Sequence, residues 1–195
     1  LLAPFFAHVF ANGSVASALD VACGTGAQLK YLAPHVTRRL TGVDFSQGML
    51  DEAARQLPDV KQLELRRLDA RALPFAQEFE LVTSAGAFGH FVGADEDALL
   101  DGISRALVPG GRFVFLTTPM PPVTSPSRWA AHGFNAAMHL RNALVSPPFI
   151  MFYLTFTWPE VKPALERHGF DATARDGLVE GRFAKVVAVT ATRRK

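Results

Sequence analysis

One cysteine, Cys23, stands in 195 residues, so no disulfide can form within the chain and the thiolates of a structural zinc site are missing. A reducing, cytoplasmic setting is the expectation. Charge of either sign is not in excess: twenty Lys and Arg against eighteen Asp and Glu leave +2. That gives nucleic acid no basic face to hold, and the cluster Arg193, Arg194, Lys195 reads as a solvated end. No apolar run approaches the ~18 residues of a membrane span. The opening LLAPFFAHVFA lacks a basic leader and is interrupted by Pro4 and His8, so a short helix packed on the domain is expected rather than a signal peptide. Internal repeats are absent, and nothing marks a second domain within 1–195. What is present is an ordinary globular balance, 49% hydrophobic and 19% charged, in a chain long enough to bury roughly 70% of its unfolded surface.

The chain is organised around residues 18–28, ALDVACGTGAQ. Leu19 and Val21 suit a buried strand, Gly24 and Gly26 a tight turn, and Gln28 to Leu32 resume a helical pattern. Without a Cβ in the way, such a turn lets a ligand approach the backbone, and the helix start aims N–H groups at it. Strand and helix then alternate. LTGVDF at 40–45 reads as a second strand ending in Asp44, Ser46 as the cap of a helix reaching Leu57, and Leu63 to Leu68 as a third strand with Asp69 just beyond it. FELVTS at 79–84 is the fourth strand. Asp95 reads as the cap of the next helix, and Pro109, Gly110 and Gly111 stop it and start a fifth strand at 112–118. A helix is expected over 128–144 and another over 159–168, followed by an antiparallel pair turning around residues 180 to 183. This order predicts an α/β fold with a mostly parallel sheet and right-handed crossovers.

These pieces together resemble the class I S-adenosylmethionine-dependent methyltransferases. The family's first motif runs apolar, acid, x, Gly, x, Gly, x, Gly, and here Asp20, Ala22, Cys23, Gly24, Thr25 and Gly26 occupy it, with Ala22 replacing the first glycine. The resemblance covers roughly residues 17–118, including LVPGGRFVF at 107–115. It implies a Rossmann-like three-layer sandwich whose mostly parallel seven-stranded sheet has an antiparallel final strand. It also implies a cofactor, S-adenosylmethionine, leaving as S-adenosylhomocysteine, held by Asp20, Ala22, Gly24, Thr25 and Gly26. Asp44 would take the ribose hydroxyls, Phe45 and Met49 one face of adenine, and Asp69 with Ala70 the adenine amino edge. Ala85 would leave room where the methyl faces its acceptor. His90, the titratable side chain of the loop SAGAFGHF, is the candidate general base.

Each acid also has a structural reading: Asp44 as a charge near a helix start, Asp69 as a loop acid paired with Arg67 or Arg71, and Asp20 as part of the turn. His90 has one too, a ring that bonds a carbonyl. Residues 119–158 fall where the family inserts variable substrate caps. In that segment Trp129, Gly133, Ala136, Ala137, Leu140 and Leu144 share one helical face, and the strip from Phe149 to Trp158 is densely apolar, which reads as core or a lid on the sheet edge, as the lining of an apolar substrate pocket, or as a dimer face. His132 and His139 lack a carboxylate or cysteine at ligand spacing, so no metal is expected. The functional expectation is methyl transfer to a small, apolar or aromatic molecule by a monomer or homodimer. Two alternatives stand beside it. A nicotinamide-dependent oxidoreductase would share the glycine turn, although Leu29 takes the place of its third glycine. A domain that binds the methyl donor without catalysis is the other.

Overall fold

The computed structural model describes residues 2–146, 150–178 and 185–195. The expected turn at 180–183 and Phe149 lie outside the described residues.

Seven strands form one sheet in the order β3-β2-β1-β4-β5-β7-β6. They are β1 Val15–Val21, β2 Val36–Asp44, β3 Leu63–Arg67, β4 Phe79–Ser84, β5 Leu107–Thr117, β6 Phe170–Arg175 and β7 Val187–Arg193. β1 to β5 pair in parallel, and β7 runs antiparallel to both its neighbours, β5 and β6. The α/β sandwich with one reversed strand expected from the sequence is therefore the fold observed.

Alternation within the strands sorts the core to two sides. Leu19 and Val21 of β1, Val82 of β4, and Phe113 and Phe115 of β5 face one apolar cluster. Ala18, Leu81 and Val114, each next to one of these, face the other. Because side chains of a strand alternate with a period of two, a sheet apolar at both parities must be covered on both faces. Helix α4 (Ala94–Ala106) and α6 (Lys162–Arg167) cover the first face through Leu99, Leu100, Ile103 and Leu165. Helices α1 (Ala3–Val9), α2 (Leu29–Leu32) and α3 (Gln47–Gln56) cover the second. The apolar opening of the chain is thus α1, with Phe5, Phe6 and Val9 buried.

Two boundaries differ from expectation. Asp95 does not cap α4: Gly93 does, at a φ of 58°, and Asp95 sits in the first turn, where the positive end of the helix dipole and Arg71, 3.4 Å away, both attract its charge. The Pro-Gly-Gly stretch does not lie outside β5 either. Leu107 already pairs with Phe79, after which the register jumps so that Leu81 pairs with Arg112. The intervening residues loop out of the ladder as a bulge, which a left-handed Gly110 (φ 81°) permits.

Residues 119–158 leave the sheet and return to the same point. The Trp158 N–H donates to the Thr118 carbonyl, and the Met120 N–H donates to the Trp158 carbonyl. Between these ties lies α5 (Pro126–Leu144), which has no buried residue.

Candidate active site

The strand order reverses between β1 and β4, so their carboxyl ends diverge and leave a crevice above the sheet. In folds of this kind that is where ligands bind. A cavity of about 710 Å³ lies there, within the range of small-molecule sites. Its wall is built from the loops at the carboxyl ends of four adjacent strands: Ala22 and Gly24 after β1, Asp44 to Ser46 after β2, Leu68 to Arg71 after β3, and Ala85 to Ala87 after β4.

The turn after β1 is tight. Ala22, Gly24 and Gly26 all have positive φ, at 55°, 54° and 84°. A Cβ built on Gly24 would meet nothing within 4 Å, since that side of its backbone opens toward the cavity. A Cβ on Gly26 would come within 3.0 Å of Leu57 and 3.2 Å of Ala53. Gly24 therefore leaves space for a guest, whereas Gly26 leaves space for α3. Neither Gly26 nor Thr25 forms part of the cavity wall.

Asp44 ties this turn to the next. Its Oδ2 accepts from the Gly24 N–H and its Oδ1 from the Ser46 N–H, both at 2.9 Å. A carboxylate oxygen can accept more than one hydrogen bond, so both oxygens keep capacity for donors in the cavity. Ser46 caps α3 by accepting from the Met49 N–H, and that start of the helix brings Met49 to the wall. Phe45 and Met49 are 68% and 46% exposed although both line the cavity. Large apolar side chains left open at a cavity lip form a ready face for a flat ring.

Asp69 also lines the cavity, and it takes the ion pair foreseen as its structural alternative. The Arg71 guanidinium clasps the carboxylate, with Nη2 at 2.6 Å and Nε at 3.0 Å from its oxygens. Arg71 accordingly holds the Asp69 carboxyl below its ordinary range. Ala70 lies beside it in the same wall.

Asp20 is placed differently from its two companions. It is fully buried behind the turn and does not reach the cavity wall. Its Oδ1 accepts from Gln28 Nε2 at 3.0 Å and from the Thr83 hydroxyl at 2.8 Å, and its Oδ2 has no partner among the described residues. Burial, with a smaller contribution from the nearby Asp44 charge, pushes its pKa up to about 7 against the Thr83 bond, which favours the charged form. Burial and the carboxylates of Asp20 and Asp44 push the Cys23 thiol up as well, so it stays protonated.

His90 lines the cavity on a short 3-10 turn, Phe88–His90. Its Nδ1 lies 2.5 Å from the Ile150 carbonyl. A carbonyl can only accept, so Nδ1 carries the proton and Nε2 keeps its lone pair in the neutral ring. The bond also carries Ile150 of the 119–158 segment into the cavity wall. Phe152 and Phe156 anchor that segment: the Phe152 N–H donates to the Gly89 carbonyl, and Phe156 stacks on Phe88 at 4.3 Å.

Of the residues singled out in the sequence, Ala22, Gly24, Asp44, Phe45, Met49, Asp69, Ala70, Ala85 and His90 come together at one cavity, while Asp20, Thr25 and Gly26 support it from behind. Sequence reasoning missed Leu68 and Phe91 in the wall, whereas Ile150 belongs to the apolar strip for which a substrate-pocket lining was one of the readings. Leu68 and Phe91 adjoin residues that were chosen, so strand-end position was the available signal. Among the described residues no group of three His, Cys, Asp or Glu could hold a metal ion.

Comparison with known proteins points the same way. A family model described as a methyltransferase domain matches residues 18–111. A demethylmenaquinone methyltransferase of Thermus thermophilus is 43% identical over 110 residues, covering 53% of this chain and 48% of its own. A 2-phytyl-1,4-naphtoquinone methyltransferase of Thermosynechococcus vestitus is 36% identical over 113 residues, covering 56% and 49%. The chain thus spans about half the length of these relatives. An S-adenosylmethionine dependent methyltransferase of known structure from Mesorhizobium loti superposes with a TM-score of 0.70 over 98% of this chain and 97% of its own, at 21% identity.

Proposed function

We propose, since residues 18–111 match a methyltransferase-domain family model and the fold and site are those the class I S-adenosylmethionine-dependent resemblance implied, that the cavity binds S-adenosylmethionine and directs its methyl group to an apolar, quinone-like small molecule. The observation that carries this reading is the convergence of Gly24, Asp44, Phe45, Met49 and Asp69 from three strand ends on one cavity beside His90.

The residues present fit such a cofactor. The side of Gly24 that no Cβ fills admits its backbone-facing part, the spare acceptor capacity of Asp44 suits a ribose diol, and Phe45 with Met49 suits an adenine face. Asp69, kept ionised by Arg71, is an acceptor for an exocyclic amine. When bound, S-adenosylmethionine supplies a sulfonium methyl already activated toward nucleophiles.

The protein then has two tasks. Ala85 and Gly86, with little side chain, leave the acceptor room beside the donor site, and Ile150 brings the 119–158 segment over as a substrate cap. Orientation of this sort can lower a barrier by about 7–11 kcal/mol. The second task is the proton of a hydroxyl acceptor, which His90 Nε2 receives while Nδ1–H remains on the Ile150 carbonyl. The acceptor class rests on the names of the relatives and on the apolar wall of Ile150, Phe91 and Leu68.

The test is ligand-induced stabilisation. S-adenosylhomocysteine should raise the melting temperature and NAD should not; saturation at a hundred times Kd corresponds to about 2.7 kcal/mol. Asp44→Asn should weaken S-adenosylhomocysteine by about tenfold, because a charged acceptor becomes neutral. Stabilisation by NAD in place of S-adenosylhomocysteine would overturn the assignment. With a hydroquinone acceptor, His90→Gln should lower kcat while leaving S-adenosylhomocysteine affinity intact.

A further inference from the structure

The large apolar side chains exposed among the described residues are unevenly distributed. Phe45 and Met49 belong to the cavity, and Tyr31 stacks on Phe6 at 5.0 Å. The other six, Val123, Trp129, Leu140, Leu144, Val145 and Tyr153, all lie in the segment 119–158. Trp129, Leu140 and Leu144 are 65%, 63% and 76% exposed.

Their placement on α5 is periodic. At about 100° per residue, Trp129, Gly133, Ala136, Leu140 and Leu144 form one stripe along the helix, and all five are exposed. The helix is held by another face: Asn135 makes a paired bond with the Tyr153 backbone at 2.9 Å in each direction, and His139 packs on Phe152 at 4.7 Å. The stripe is therefore turned away from the contacts that secure the segment.

Charge supplies the second observation. Between Asp101 and Glu160 the sequence contains no Asp or Glu, although the whole chain is nearly balanced. α5 carries Arg128 and Arg141 together with His132 and His139; the same periodicity places Arg141 about 100° from the centre of the stripe on one side and Arg128 about 120° from it on the other, on the side of Asn135 and His139, where it donates to the Pro121 carbonyl at 3.0 Å. An apolar face with tryptophan near one end, arginines on either flank of the helix beyond it and no acid is the composition of a helix that lies in the interface of an anionic membrane. Basic groups near such a surface gain from its negative potential. A second copy of the chain is a poorer occupant: a two-fold contact through this stripe would bring two net basic segments together, with no carboxylate on either to offset them. No helix among the described residues is long and apolar enough to cross a membrane, which leaves α5 lying on a bilayer rather than through it.

We propose that α5 docks the protein on an anionic lipid surface, with Trp129, Leu140 and Leu144 inserted among the acyl chains and Arg128 and Arg141 at the headgroups. This goes beyond the methyl-transfer reading and does not depend on it.

Flotation of the 195-residue chain with vesicles tests the proposal. The wild type should float with mixed phosphatidylglycerol and phosphatidylcholine vesicles, float less with pure phosphatidylcholine, and lose binding as salt rises. The double variant Leu140→Asp, Leu144→Asp should lose flotation while keeping its melting temperature, since both side chains already face solvent. Arg128→Gln with Arg141→Gln should lose the preference for phosphatidylglycerol. If the wild type stays with the unfloated protein, the proposal is overturned. It is overturned equally if the wild type sediments as a dimer that the aspartate variant dissociates and that ignores vesicles. Stabilisation by S-adenosylhomocysteine, read on the same preparations without lipid, reports on the cavity separately.

Discussion

Ala22 holds a left-handed backbone, φ 55°, with its small side chain partly buried against the core. For a residue with a Cβ that conformation costs roughly 1–2 kcal/mol. Replacing it by glycine removes the clash but enlarges the freedom of the unfolded chain. Ala22→Gly should therefore stabilise the protein by about 1 kcal/mol, visible as a higher denaturant midpoint at constant slope. The neighbouring acid makes a prediction about pH. Asp20 has a folded pKa of about 7, above its unfolded value of 3.8, so the folded state binds the proton more tightly. Its contribution to stability is complete below about pH 4 and is lost as pH rises to about 7, at about 1.4 kcal/mol for each pH unit crossed. Asp20→Asn cannot ionise, so its stability relative to wild type should grow across that window in denaturation series at several pH values. A constant difference would mean that Asp20 ionises as it does in water. The sequence shows an acid closing an apolar strand; it does not show that Gln28 and Thr83, eight and 63 residues away, turn that acid from the cavity. Asp44 and Asp69 were legible because they end their strands and have no neighbour that draws them inward.

Among the elements, α3 shows how closely the glycine turn is fitted to the helix packed against it. With Leu57 and Ala53 at 3.0 and 3.2 Å from the position of a Cβ on Gly26, and a φ of 84°, alanine there must both push the helix and strain the backbone. Gly26→Ala should cost about 2 kcal/mol and tilt α3, which carries Met49. Thermal unfolding would show the loss, and weaker S-adenosylhomocysteine binding would show the tilt. Most elements could be read from hydrophobic period, since strands buried on both faces and helices with one apolar stripe leave different patterns. The boundaries that escaped had tertiary causes. Arg71 draws Asp95 into the first turn of α4, and pairing of Leu107 with Phe79 pulls a Pro-Gly-Gly stretch into the line of β5. For α5 the apolar stripe was visible, but its period could not reveal that Asn135 and His139, on another face, make the contacts.

At the scale of the whole molecule, the alternation of strands and helices announces a parallel sheet, yet local patterns leave the strand order open. Resemblance to a family implied the seven-stranded sheet and the site residues, and the structure supplies the order: only the reversal between β1 and β4 brings four loops to one crevice. The link from Ile150 to His90 spans 60 residues and has no local signature. The same long-range character marks the sheet's far side. β7 lies between β5 and β6, so a chain emerging from the ribosome presents β6 before the strand that must separate it from β5 has been made. Until residue 193 is free, β5 has an open ladder and β6 has nothing to pair with, a period in which unsatisfied strand edges invite association with other nascent chains. Completion of this sheet consequently waits for β7, and the protein's need for chaperone protection should be greatest in the interval between the synthesis of β6 and that of β7.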